Sequence, residues 1–203
     1  ALIRADVFGY VNPGDPRAAA VLAYEDAALS HRGNGIYGEQ WAAALVAAAF
    51  TAESLVHAVE TSLQHVPPTS RLYEAVSTVL ASYRAGASWE QTLDEAENRW
   101  AGYCWVHTIN NAAVITAGLL YSEEDPAAAI GLTVMAGLDT DSNGATVGSV
   151  VGCFLGASRL PTHLTEPLHD HLRSALFGFD HSSITNLAQR TAALVRGTAS
   201  IPA

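Results

Sequence analysis

"GLDTDSNGATVGSVVGCFLGA", Gly137 to Ala157, is the stretch on which the fold of this 203-residue chain turns. Its later part is small and apolar, and Gly144, Gly148, Gly152 and Gly156 return every four residues, which places them near one stripe of a single helix. Such a stripe predicts a helix packed backbone to backbone against a neighbour. The uncharged run from Ser142 to Ser158 is shorter than the roughly 20 residues a bilayer span needs, so the helix is read as buried in protein. Its N-terminus then lies in the interior, with the carboxylates of Asp139 and Asp141 and the hydroxyl of Ser142 at the entrance.

Working outward, helix signals recur along the chain with no convincing period-two alternation. "DPRAAAVLAYEDAALS" has Asp15 as N-cap and Pro16 at the first helical position, and "EDPAAAIGLTVMAG" repeats the device with Asp125 and Pro126. "GEQWAAALVAAAF", "TAESLVHAVETSL", "SRLYEAVSTVLASY", "SWEQTLDEAENRW" and "HTINNAAVITAGLLY" carry apolar residues at three- and four-residue spacing, and "EPLHDHLRSALF" and "SSITNLAQRTAALV" follow. Turn chemistry separates these segments at "VNPGDP", "HRGNG", "HVPPTS", "RAGAS", "SRLPTH" and "GFDHSS". The expectation is an all-α protein, a compact orthogonal helical bundle forming one domain over 1–203.

The net charge of −10, from 20 acidic against 10 basic residues, argues against a nucleic-acid partner, which would need clustered Lys and Arg. It suits a cation or a small polar ligand. Cys104 and Cys153 stand far apart in no C-x-x-C pair, so neither disulfide nor zinc site is expected, and a reducing, cytoplasmic setting is the default. No leader or membrane span is expected. Met135 is the only methionine, so Ala1 is not an ordinary translation start and something upstream is read as removed.

Two explanations fit the acidic entrance. In the first, Asp141 or Ser142 caps the helix and the positive end of its dipole favours the charge. That explains one carboxylate, while two about 4 Å apart repel by roughly 4 kcal/mol at an effective dielectric of 20. In the second, Asp139, Asp141 and Ser142 hold a hard divalent cation, which cancels the repulsion. Spacing alone leaves both open.

The same residues resemble the C-terminal metal motif of the ADP-ribosylglycohydrolase family. "IRADVFGYVNPGDPRAAAVLAYEDAALSHRGNGIYGEQWAAAL" is similar to that family's middle region and "VHTINNAAVITAGLLY" to its approach to the motif, so the likeness covers essentially the whole chain. The resemblance implies an all-α fold around two Mg²⁺ ions, with Mn²⁺ as a substitute, and hydrolysis at C1 of the distal ribose of ADP-ribose carried by a protein or a small molecule. It makes Asp139, Asp141 and Ser142 metal ligands, with Asp139 also the catalytic candidate. His31 becomes a contact of the bound ADP-ribose, with Asn34, Gly35 and Tyr37 lining the same loop, and Arg4 and Asp6 lie close by.

Two departures accompany the likeness. Leu138 stands where the family commonly has Gly, narrowing the turn, and the family's Ser/Thr-Asp-Asp cluster is absent from the 203 residues. The resemblance is therefore to the C-terminal part of a family member, with half of the metal site, and the acidic residue most often assigned to catalysis in the family, expected from a missing N-terminal segment or a second chain. A non-catalytic binding relative and a hydrolase of another ribosyl glycoside are the alternatives.

Other groups read more blandly. His107 with Asn110 and Asn111 is either a hydrogen-bonded core cluster or support for the metal motif. Glu53 and His57 form a surface pair, His169, His171 and His181 are solvated, and Cys153 is a small buried residue. Trp41, Trp89, Trp100 and Trp105 are expected in the core.

Overall fold

The computed structural model describes residues 1–198. Where one domain is expected, contacts divide the chain into two compact units, Ala1–Phe154 and a second beginning at Leu155. The division has a local cause. Gly156 follows the long helix with φ +74°, a left-handed conformation that glycine adopts without strain and that ends the helix. Past it no described residue is fully buried, so the second unit has almost no core of its own.

The first unit is all helix. A 3₁₀ turn at Leu2–Arg4 leads into α1 (Asp6–Tyr10), α2 (Pro16–Ala27), α3 (Asn34–Ala49), α4 (Leu55–Leu63), α5 (Arg71–Arg84), α6 (Trp89–Trp100), α7 (Thr108–Leu120), α8 (Pro126–Met135) and α9 (Thr140–Leu155). Most starts are written locally. The carboxylates of Asp15 and Asp125 accept from Ala18 and Ala128 N–H at 2.9 and 2.7 Å, and Ser54, Ser70 and Ser88 cap α4, α5 and α6. Ser88 and Gln91 close a reciprocal capping box.

Helices α3 and α7 are apolar on all sides and form the centre. α1, α2 and α4 pack on α3, and α5, α6 and α8 pack on α7. Trp41, Leu45, Ile109 and Ile115 are wholly buried, and the hydroxyls of Thr116 and Thr133 bond carbonyls of their own helices. Among the described residues no helix is long and apolar enough to cross a membrane.

The glycine stripe of α9 differs from its expected role. A Cβ at Gly144 would meet the Val134 side chain at 3.3 Å and one at Gly148 the Ile130 side chain at 3.7 Å, while one at Gly152 would meet nothing within 4 Å. The small residues thus accommodate branched side chains of α8, not a neighbouring backbone. Close backbone approach occurs instead at Gly9, where a Cβ would lie 2.5 Å from Val46 Cβ and 2.9 Å from the Ala43 carbonyl oxygen. Neither atom can rotate away, so Gly9→Ala is expected to cost about 2–3 kcal/mol, read as a lower urea midpoint at unchanged slope.

The second unit comprises α10 (Thr162–Thr165), a 3₁₀ turn at Glu166–Leu168, strands β1 (His171–Leu172) and β2 (Ser182–Ser183) paired antiparallel, and α11 (Ile184–Thr198). The helix expected over "EPLHDHLRSALF" is therefore corrected. His169 and Asp170 are left-handed, with φ of 49° and 58°, and Asp170 is turned to the start of α11. Its carboxylate accepts from Ser183 Oγ, Thr185 N–H and Thr185 Oγ1 at 2.6 to 2.8 Å, bonds that a continuous helix could not form.

Candidate active site

A cleft of about 520 Å³ opens on the first unit where four stretches of the chain converge, the first of them Ala1 to Ile3. His31, Arg32 and Gly35 come from the turn between α2 and α3, and Cys104 to Asn111 span the end of the α6–α7 loop and the first turn of α7. Asp139 and Asn143 come from the start of α9. Three of the expected site residues, Asp139, His31 and Gly35, thus line one cavity. The others do not line it among the described residues: Asp141 is exposed, and Ser142, Asn34 and Tyr37 are partly covered. Asn34 has a structural task, since its Oδ1 accepts from Leu72 N–H at 3.1 Å and so completes the first turn of α5.

The turn before Asp139 is left-handed twice, at Gly137 with φ +79° and Leu138 with φ +62°. A leucine there costs about 1 kcal/mol relative to glycine, the physical content of the departure at this position. Asn111 then fixes the loop. Its Oδ1 accepts from Asp139 N–H at 3.2 Å and from Asn143 Nδ2 at 2.6 Å, and its Nδ2 donates to the Trp105 and His107 carbonyls, each at 2.8 Å. The polar cluster on α7 is a hydrogen-bonded core group whose bonds set the main chain of Asp139.

Capping does not account for the acidic residues. The Asp139 carbonyl accepts the first helical bond, from Asn143 N–H at 2.9 Å, but among the described residues no side chain of Asp139, Asp141 or Ser142 caps α9. The carboxylates are left for another partner. They do not make a complete metal centre, because no group of three or more His, Cys, Asp or Glu able to hold an ion occurs among the described residues.

Two histidines face the cleft with defined surroundings. His107 caps α7, its Nδ1 accepting from Ile109 N–H at 3.2 Å, so the neutral ring carries its proton on Nε2. The ring stacks on Tyr103 at 4.2 Å, and burial followed by the charge of Arg71 holds its pKa down. His31 is bonded through Nδ1 to Ser30 Oγ at 2.8 Å, and that hydroxyl accepts from Arg4 at 2.9 Å. Burial is the main cause that lowers the His31 pKa. Arg4 lies one hydroxyl away from the cleft and pairs with Asp26.

Behind Arg4 lies Glu39, wholly buried, with neither carboxylate oxygen hydrogen-bonded and Arg4 Nε 3.9 Å away. Burial, with Asp26 adding to it, pushes its pKa from 4.5 to about 7. Because the folded chain holds this proton more tightly than the unfolded one, the stability it contributes is complete below about pH 4.5 and is lost as pH rises through about 7. Glu39→Gln is expected to match the parent near pH 5 and to exceed it by about 2 kcal/mol at pH 8 in urea titrations.

Asp6 binds the far end of α9. Its Oδ2 accepts from Ser149 Oγ at 2.5 Å, and Tyr10 OH donates to the same hydroxyl at 2.6 Å. Burial raises the pKa of Asp6 and of Tyr10, and pushes the Cys153 thiol up to about 12. Cys153 is therefore an inert packing residue.

Arg32, Cys104, Val106, Thr108 and Asn143, with Ala1 to Ile3, line the cleft without having carried a functional signal in sequence. Asn143 follows the D-x-D-S cluster directly, which is the signal that could have found it. Of the tryptophans expected in the core, Trp41 and Trp100 are buried, Trp89 is half-buried and Trp105 is 59% exposed. Its carbonyl is committed to Asn111, which holds the backbone of the loop and leaves the indole outside.

The chain belongs to the ADP-ribosylglycohydrolase family, whose model matches residues 1–200, and its function is of the glycohydrolase type. No curated protein and no solved structure matches it.

Proposed function

We propose that this chain takes part in Mg²⁺-dependent hydrolysis of the glycosidic bond at C1 of the distal ribose of ADP-ribose, carried by a protein side chain or a small molecule. The observation that supports the reading is the make-up of the cleft. Asp139, Asn143 and Thr108 supply oxygen atoms suited to a cation or to sugar hydroxyls, and Arg32 and His107 supply N–H groups suited to phosphate oxygens. One ligand with a diol at one end and a diphosphate at the other satisfies both sets.

Asp139, Asp141 and Ser142 would hold one ion, their oxygens being of the type that hard cations take. The remaining ligands would come from a segment or second chain beyond these 203 residues, since no Ser/Thr-Asp-Asp triplet is among them. When bound, the metal supplies positive charge that polarises oxygens at the reacting ribose. Asn111 holds the Asp139 backbone in place, and the Asp139 carboxylate orients a water and takes its proton as it attacks the anomeric carbon. The bond to the leaving group opens through an oxocarbenium-like state. His107 offers its Nε2–H to an acceptor in the cleft.

The chain together with the segment or second chain that completes its metal site, in excess Mg²⁺, is to be offered ADP-ribosyl-arginine, ADP-ribosyl-serine and plain nucleosides, with products resolved by chromatography. Release of ADP-ribose from one of the first two is the expected outcome. Cleavage of nucleosides alone would make it a hydrolase of another ribosyl glycoside. Among the described residues no group of three or more His, Cys, Asp or Glu able to hold an ion occurs, and the second reading is a non-catalytic ADP-ribose binder, which calorimetric binding of ADP-ribose without cleavage would establish.

A further inference from the structure

Asn143 is 1% exposed, stands in the cleft wall, and has a side-chain oxygen with no hydrogen-bond partner. The orientation of its amide follows from its neighbours. The carbonyls of Trp105 and His107 can only accept, so Asn111 turns Nδ2 to them, and the N–H of Asp139 can only donate, so it takes Asn111 Oδ1. Asn143 shares that oxygen and must present its own Nδ2 to it, which it does at 2.6 Å. Its Oδ1 is the atom left over. Thr108 Oγ1, in the same wall, is also buried and unpartnered.

A buried carbonyl oxygen without a donor is costly, and its cleft neighbour Asp139 adds a second acceptor one helical turn away. Such a surface repels phosphate and carboxylate and receives a hydroxyl. We propose that Asn143 is a specificity-determining residue whose Oδ1 accepts a hydrogen bond from a hydroxyl of the bound ribosyl group. The proposal rests on the glycohydrolase reading above. Deleting the hydroxyl from the ligand then leaves the oxygen buried and unpaired, so the site rejects a deoxy sugar more strongly than it gains from the ribose.

The test is calorimetry in Mg²⁺ with ADP-ribose and with its analogues lacking the 2- or the 3-hydroxyl of the distal ribose. It compares the parent, completed by the segment or second chain that supplies the rest of the metal site, with Asn143→Ala and Asn143→Leu, the second keeping the side-chain volume should the first fail to fold. The parent is expected to prefer ADP-ribose over one analogue by at least tenfold, and the variants to bring that preference within about twofold. A merely structural Asn143 weakens ribose and deoxy ligands alike and leaves the preference intact, which overturns the proposal while the glycohydrolase reading stands. A parent that binds ADP-ribose without preference does the same. A parent that binds none of the three ligands overturns the reading itself, and the proposal with it.

Discussion

Asp139→Asn is expected to leave the protein folded while lowering Mg²⁺ affinity by at least about 100-fold and ribosyl-bond cleavage by about 10²–10³-fold. Asparagine is as good an N-cap residue as aspartate, and the bonds that fix this position use the backbone N–H and carbonyl, which the substitution keeps. A residue that only started a helix would tolerate the change. A residue that supplies charge to a cation would not, because Coulomb attraction to a divalent ion falls by one unit charge at contact distance. The comparison therefore separates the two explanations for the acidic entrance. Mg²⁺ calorimetry beside a thermal melt reads both quantities, and unchanged affinity with unchanged melting would remove Asp139 from the metal site.

The second large effect lies with Asn111, 4% exposed, the node through which α7 holds the start of α9. Asn111→Leu keeps the volume and removes four hydrogen bonds at once. The Asp139 N–H and the Asn143 amide are left without acceptors in a dry setting, while the Trp105 carbonyl, on a more exposed loop, can turn to water. At about 1 kcal/mol or more for each group left unpaired, the loss comes to about 3–4 kcal/mol in urea unfolding. Substrate turnover in the folded fraction is expected to fall as well, since the main chain carrying Asp139 loses its anchor. Full stability in this variant would show that the node is replaced by water at no cost.

The fold was legible wherever its instructions are local. Asp15–Pro16 and Asp125–Pro126 mark helix starts within four residues, and the structure uses each as written. "EPLHDHLRSALF" misled because the bonds that break its helix reach to Thr185, 15 residues from Asp170. The glycine stripe was visible as a stripe, but periodicity does not tell whether the facing surface is a backbone or the branched ends of Ile130 and Val134. In the site, the family likeness placed Asp139, His31 and Gly35, which meet in one cleft. Asn34 sits beside them in sequence, yet its carboxamide is used by a helix 38 residues away. Thr108 and Asn143 escaped notice because a threonine and an asparagine inside apolar helices look like ordinary core polar groups, and only the pairing of each donor with each acceptor shows which oxygen is left unused.

The bonds joining Asp6 and Tyr10 to Ser149 have a consequence for how the protein is made. They tie the first helix of the unit to its last, across 143 and 139 residues. At about 5–20 residues per second of synthesis, α1 leaves the ribosome and waits on the order of ten seconds for its partner to be translated. During that interval an aspartate and a tyrosine destined for a dry contact remain in water, and the first unit closes only after its final helix has emerged.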